Sequence, residues 1–369
     1  MKRDEPSAAS AAPSGDVLAA AKSAGLRYVS DSAPGITRKA RGKNVVYFDA
    51  AGEPVTDEDT LARIRSLAIP PAWNDVWICK SPNGHLQATG RDAKQRKQYR
   101  YHAKWRNLRD EVKYERMISF GKALPAIRRT VDADLKRPGL PREKVLATIV
   151  YLLEATMMRI GNEEYARTNK SFGLTTLRDR HVRIDGKAVE FRFRGKSGVF
   201  HNVKVEDKRL ARIIRRIRDL PGQELFHYED DGNAHTVDSS DVNDYLREIT
   251  GEEYTAKDFR TWSGTVLAAL ALQEFEKFDS EAQAKKNIVR AIESVAEKLG
   301  NTPSICRKCY VHPAILEAYL DGTVLDAMRE STRRELVEDL HDLQPEEAAV
   351  VAFLQQRLQE PPAKGKAAG

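Results

Sequence analysis

Residues 141–158 carry the most restrictive pattern in the chain. Pro141 opens a run in which Val145, Leu146, Ile149, Val150, Leu152, Leu153, Met157 and Met158 leave little polar face for solvent. A helix that apolar must be enclosed by other elements, so the chain around it has to build a mainly helical core. The run breaks at Arg159-Ile160-Gly161-Asn162, because Gly161 and Asn162 are poor helix interiors. Arg159 therefore ends a buried element, where an unpaired guanidinium would be costly.

The surrounding sequence supplies that enclosure. Helical periodicity is read over residues 104–118, 123–135, 208–220 and 241–249. A long helix starts near Thr255, with Arg260 in its early turns and an apolar run at 266–272. Further helices are read at 282–299, 314–320 and 324–340, and residues 221–239 read as a polar loop. Between 173 and 205 the period changes to that of short strands, at 174–177, 181–184, 188–194 and 199–205. Asp185-Gly186 and Gly195-Lys196-Ser197-Gly198 serve as hairpin turns, which places Lys196 on an exposed tip. Upstream, β-like pieces at 45–48, 76–79 and 86–89 flank one helix over 57–67, capped near Thr56. The expected fold class is α+β, with a small N-terminal antiparallel sheet domain and a larger mainly helical domain that holds a small sheet. Expected boundaries are a disordered tail at 1–20, the sheet domain at 21–103, a link near Ala103, the helical domain at 104–358 and a second disordered tail at 359–369.

Length and charge narrow the function. A chain of 369 residues is long enough for two domains, and no stretch of about 18 apolar residues exists to span a membrane. An apolar signal core is also missing after Met1-Lys2-Arg3, and three cysteines suit a reducing compartment, so a cytoplasmic location is expected. The net charge of +7 is concentrated: Arg91, Lys94, Arg96, Lys97, Arg100, Lys104, Arg106 and Arg109 stand against Asp92 alone, interleaved with Tyr99, Tyr101, His102 and Trp105. Basic and aromatic residues in that mixture suit contact with a nucleic-acid backbone.

Three apparent motifs carry no chemistry. Gly195-Lys196-Ser197 resembles the end of a phosphate loop, but Glu190 occupies the place of its first glycine and a hairpin follows, so no nucleotide cofactor is expected. Cys306 and Cys309 have zinc-like spacing without a second pair, and read as small apolar side chains. His227, Asp230, Asp231 and His235 read as a solvated loop, so no metal is expected.

What remains is Arg159, Lys196, Arg260 and Tyr310, each at an element boundary. Tyr310 closes a short segment punctuated by Gly300, by Thr302 as N-cap with Pro303 behind it, and by Pro313. The ordered motifs Arg159-Ile160-Gly161-Asn162-Glu163-Glu164-Tyr165, Phe193-Arg194-Gly195-Lys196, Lys257-Asp258-Phe259-Arg260-Thr261-Trp262 and Leu299-Gly300-Asn301-Thr302-Pro303 with Tyr310 resemble the small type IB DNA topoisomerases of poxviruses and bacteria. Gly90-Arg91-Asp92 and Lys97-Gln98-Tyr99-Arg100-Tyr101-His102 match the DNA-reading segment of that family.

The resemblance implies an enzyme that relaxes supercoiled double-stranded DNA, without ATP or metal, through a transient 3′-phosphotyrosyl link. It implies Tyr310 as nucleophile, Arg159 and Arg260 as charge-stabilising donors, Lys196 as general acid and Asn301 as a further phosphate donor. Arg91, Arg96, Lys97, Gln98, Tyr99, Arg100, Tyr101 and Tyr165 would contact DNA, with a monomer clamping the duplex in the nucleoid. Two departures stand out. Asn301 replaces the poxvirus histidine, and an amide donates a hydrogen bond but carries no charge; Gln95 stands where the family has Gly. A tyrosine site-specific recombinase shares the Arg/Lys/Arg/Tyr set. Those enzymes usually show His three residues before the second arginine, where this chain has Lys257, and their N-terminal domain is helical. A DNA-binding protein without catalysis fits less well, because all four reactive positions are filled.

Overall fold

The computed structural model describes residues 15–41, 44–93, 95, 97–220, 222–230, 233–275, 278–322 and 343–359. Arg96, Asp231 and the helix expected at 324–340 lie outside the described residues. The chain divides into two compact units, Met1–Tyr114 and Glu115–Gly369.

The first unit is built on a five-stranded antiparallel sheet. Its strands are β1 (Ile36–Arg41), β2 (Asn44–Phe48), β3 (Asn74–Ile78), β4 (Leu86–Arg91) and β5 (Lys97–Tyr101), in the order β2-β1-β3-β4-β5. Ile36, Val76, Ile78 and Ala88 bury one face against Ile64 of α2 (Glu58–Ser66), whose N-cap is Asp57. Helix α1 (Gly15–Ser23) was expected to be largely tail. It is ordered because Ala21, with Leu26 beyond it, packs on Trp105. An alanine-rich face is too small to register as amphipathic, which hid this helix in the sequence.

Helix α3 (Ala103–Leu135) is continuous where two helices were expected, and the division between units falls inside it. Gly121, between the two expected helices, admits a neighbour: a Cβ there would stand 2.7 Å from the Trp262 ring. Helix α4 (Arg142–Thr156) is the expected apolar element, with Val145, Leu146, Ile149, Leu152 and Leu153 fully buried. It stops earlier than expected, at Met157, which adopts a left-handed φ of 55°. Helix α5 (Glu163–Asn169) follows, capped by Asn162.

Residues 174–176 form a 3₁₀ turn rather than a strand, because Leu174 and Thr175 donate to the carbonyls of Arg159 and Ile160, not to a sheet partner. The small sheet is therefore three-stranded: β6 (Val182–Asp185), β7 (Ala188–Arg194) and β8 (Phe200–Glu206). Arg194 pairs with Phe200, so the β7–β8 loop is longer than a two-residue turn. The loop expected at 221–239 contains a hairpin, β9 (His227–Asp230) with β10 (Asn233–Thr236).

Helices α6 (Lys208–Arg218), α7 (Ser239–Thr250), α8 (Ala256–Gln273), α9 (Glu281–Leu299), α10 (Pro303–Cys309), α11 (Pro313–Leu320) and α12 (Pro345–Gln359) complete the second unit. Helix α8 is central to it, packing against α4, α9, α11 and α12. A charged tie joins four of these helices. Arg128 on α3 donates to Glu154 of α4 at 2.6 Å and to both oxygens of Glu347 of α12 at 2.8 and 2.9 Å, while Trp262 of α8 donates to Glu347 at 3.1 Å. These carboxylates hold the Arg128 guanidinium above its ordinary pKa despite burial. Glu347→Ala should cost about 1.5–3 kcal/mol, the worth of hydrogen bonds to a charged group. An unchanged urea midpoint would show that the tie contributes nothing.

Candidate active site

Arg260 is placed by two helix ends. Thr255 opens α8 by capping with Asp258, whose carboxylate accepts from the Thr255 N–H at 2.8 Å and hydroxyl at 2.9 Å. One turn later Arg260 points inward and is only 4% exposed. Its guanidinium donates to the carbonyl of Met157, just past α4, and to that of Leu299, the last residue of α9, at 2.7 Å. C-terminal helix carbonyls lack partners within their own helix and carry the negative end of its dipole, so they suit a cation.

Arg159 is placed by a backbone crossing. Its carbonyl accepts from Leu174 N–H at 2.9 Å, and that of Ile160 accepts from Thr175 N–H at 2.7 Å. The crossing needs glycine at both centres: Gly161 has φ of 106°, and a Cβ on Gly173 would stand 2.6 Å from the Arg159 carbonyl oxygen. The half-buried Arg159 side chain donates to the Gly300 carbonyl at 3.4 Å and to Asn301 Oδ1. Gly300, in the left-handed region at φ 58°, ends α9 with paired closing bonds, Gly300 N–H to Glu297 and Asn301 N–H to Ala296. Asn301 is thereby turned toward Arg159.

Tyr310 is held by its own backbone. Thr302 caps α10 and Pro303 starts it, as expected, and Tyr310 stands at its C-terminus. The Tyr310 carbonyl accepts from the Thr265 hydroxyl at 3.2 Å, and the Thr265 oxygen accepts from His312 N–H at 3.0 Å. A Cβ on Gly264 would lie 2.6 Å from the Tyr310 carbonyl oxygen, so α8 makes this approach only because residue 264 is glycine. The Arg260 guanidinium sits over the Tyr310 ring at 5.2 Å. Burial pushes the pKa of both arginines down, and mutual repulsion lowers that of Arg260 further; the adjacent Tyr310 hydroxyl opposes this. Cys306, on the same short helix, is fully buried and its thiol is pushed up to about 11 by burial, which suits an inert core group.

Two buried donors in this cluster have no partner: Arg260 Nε and Asn301 Nδ2. Because arginine only donates, Asn301 must turn its oxygen to Arg159, which leaves its NH₂ unused. Unpaired buried donors are costly, and here they belong to two side chains of the cluster that holds Tyr310. The arrangement can receive an oxyanion.

The structure thus brings Arg159, Arg260, Asn301 and Tyr310 together. Lys196 is exposed in the β7–β8 loop, its ammonium forming no ion pair among the described residues. Tyr165, on α5, is 43% exposed. Sequence reading missed Gly264 and Thr265, and also His201, whose ring stacks on Phe193 at 5.0 Å and whose pKa is lowered by burial and by the charges of Arg159 and Arg260. Glycine and threonine inside a helix and histidine inside a strand give no local signal of such roles.

The expected DNA-reading residues lie on β4 and β5. Arg91 pairs with Lys97 and Thr89 with Tyr99, which puts Arg91, Lys97 and Tyr99 on one face, and Tyr101 stacks against Tyr99 at 5.9 Å. Gln98 and Arg100 turn to the other face. There Gln98 donates to Asp92 at 3.0 Å and Arg100 to the Ala68 carbonyl at 2.9 Å, with its guanidinium over Trp73. Lys97 is paired with Asp31 at 2.6 Å. Gln95 adopts φ 60°, the left-handed conformation for which the expected glycine is suited.

Residues 102–350 match the family described as eukaryotic DNA topoisomerase I, catalytic core, and residues 44–92 match the bacterial DNA topoisomerase IB N-terminal domain. DNA topoisomerase 1B of Acanthamoeba polyphaga mimivirus is 35% identical over 294 residues, covering 77% of this chain and 87% of the relative. The vaccinia virus DNA topoisomerase 1B is 24% identical, covering 76% and 88%. DNA topoisomerase 1 of Xenopus laevis is 27% identical over 48% of this chain and 21% of its own length.

Gly264→Ala forces a methyl against a backbone oxygen that cannot move without its helix. It should destabilise the fold by about 1–3 kcal/mol; denaturation matching the parent protein would show that Tyr310 is not held at this contact.

Proposed function

The chain belongs to the type IB DNA topoisomerases, and from that premise we propose that Tyr310 is its nucleophile, served by Arg159, Arg260, Asn301 and Lys196. The observation that carries the assignment is a pair of guanidiniums held only by neutral oxygens, Arg159 by Gly300 and Asn301 and Arg260 by Met157 and Leu299, with Arg260 over the Tyr310 ring. A phosphodiester beside Tyr310 would supply the negative charge that both cations lack.

In the proposed reaction the Tyr310 oxygen attacks phosphorus and passes its proton to solvent water as the bond forms. The P–O5′ bond breaks, the 5′ oxygen leaves with a proton supplied by Lys196, and the 3′-phosphotyrosyl link remains. Arg159 and Arg260 are ionised and fixed before substrate arrives, so they stabilise the charge of the pentacoordinate transition state without reorganising. Asn301 does two things. Its oxygen orients Arg159, and its NH₂ donates to a phosphate oxygen. Resealing reverses each step, with the 5′ hydroxyl attacking and Tyr310 leaving. The ester preserves the bond energy, so the cycle closes without ATP.

Arg91, Lys97, Tyr99 and Tyr101 form the proposed DNA face of the sheet unit, and Tyr165 is a further contact. All the proposed catalytic groups come from one chain, which supports action as a monomer. The match to a bacterial N-terminal domain supports a bacterial source and work on the nucleoid in the cytoplasm. Among the described residues no helix is long and apolar enough to cross a membrane.

Supercoiled plasmid incubated with the protein in EDTA and without ATP should relax, whereas Tyr310→Phe should neither relax it nor form a covalent adduct. An adduct from the phenylalanine variant would overturn the assignment. Asn301→Ala should slow single-turnover cleavage by about 10²-fold, the usual cost of one transition-state donor; cleavage at the parental rate would leave the amide without a catalytic part.

A further inference from the structure

His201 occupies a position for which the chemistry above leaves no role. It lies on β8 directly across from Phe193, with the rings stacked at 5.0 Å and 18° between planes. Two glycines make room for it. A Cβ on Gly195 would stand 2.6 Å from His201 Cδ2 and Nε2, and a Cβ on Gly300 would stand 2.8 Å from His201 Cε1. Both distances are shorter than non-bonded carbon contacts allow, so the imidazole fills the space that a side chain at either position would need.

Each of those glycines immediately precedes a proposed catalytic residue. Gly195 leads into Lys196, and Gly300 leads into Asn301 and also lends its carbonyl to Arg159. The loop carrying Lys196 closes on itself through Gly195 N–H to the Val199 carbonyl at 2.7 Å, and its ammonium makes no ion pair among the described residues. The His201 ring is therefore a rigid spacer between the base of that loop and the end of α9. The two arginines and burial both disfavour its protonated form, so it adds no competing charge beside the phosphate position.

We propose that His201 is a positioning residue that seats the Lys196 loop against Gly300, setting the lysine's reach to the leaving 5′ oxygen. The proposal rests on Lys196 being the general acid. A structural role alone would slow every substrate alike. A role through Lys196 has a distinct signature, because a leaving group that needs no proton bypasses the acid.

The test is single-turnover cleavage of two duplexes that differ only in the scissile bond, one with the normal 5′ oxygen and one with a 5′ bridging sulfur. The full chain, His201→Ala, Lys196→Ala and the double variant are compared, with His201→Gln as the substitute if the alanine variant does not fold by circular dichroism. His201→Ala should slow cleavage of the oxygen substrate by about tenfold or more and leave the sulfur substrate within about twofold of the parent rate. On the oxygen substrate the double variant should be no slower than Lys196→Ala. An equal loss on both substrates, an unchanged rate on oxygen, or additive losses would overturn the positioning role while leaving the acid assignment intact. If sulfur fails to rescue Lys196→Ala itself, the acid assignment falls, and this proposal with it.

Discussion

The site depends on Arg260 reaching two helix ends at once. A guanidinium that is 4% exposed must be hydrogen-bonded, and its bonds here run to the carbonyls of Met157 and Leu299. Those acceptors are neutral, so they satisfy the donors without cancelling the charge. Arg128 shows the opposite arrangement in the same unit: it faces the carboxylates of Glu154 and Glu347, is neutralised, and ties helices together. Arg159 follows the Arg260 pattern, with Gly300 and Asn301 supplying oxygens that carry no charge. Two cations left uncompensated in a partly dry site are what an incoming phosphate would stabilise.

Precision in this region comes from backbone rather than from side-chain packing alone. Gly161 and Gly173 cross closely enough to fix Arg159, and Gly264 lets the Tyr310 carbonyl rest on α8, where Thr265 holds it. Each contact excludes even a methyl group. Tyr310 itself stands at the end of a short helix, and the Arg260 guanidinium sits over its ring. By contrast, Lys196 is carried on an exposed loop, and His201 is the wedge through which that loop meets the rest of the cluster.

Much of this architecture is legible in the amino-acid order. The apolar run of α4, the cap and proline that begin α10, the glycine that ends α9 and the β7–β8 hairpin are local signals, and the structure follows them. Other elements were misread where a long-range contact outweighs local preference. Helices expected at 104–118 and 123–135 are one continuous helix, in which Gly121 makes room for the Trp262 ring; residues 174–176 look like a strand, but the N–H groups of Leu174 and Thr175 go to Arg159 and Ile160. The alternation of β5 explains why the expected DNA-reading residues divide, with Lys97 and Tyr99 on one face and Gln98 and Arg100 turned to Asp92 and Ala68 on the other.

The sequence by itself determined which candidate residues exist, their order, and that Arg159, Lys196 and Tyr310 lie at element boundaries while Arg260 stands a turn inside α8, because caps, turns and hydrophobic period act over a few residues. Only the tertiary structure decided that Arg159, Arg260, Asn301 and Tyr310 converge, that Asn301 turns its oxygen to Arg159 and leaves its NH₂ free, and that His201 sits between Gly195 and Gly300. Those outcomes depend on helix ends and glycine crossings far apart in the chain, and no local pattern records which carbonyl a distant guanidinium will find.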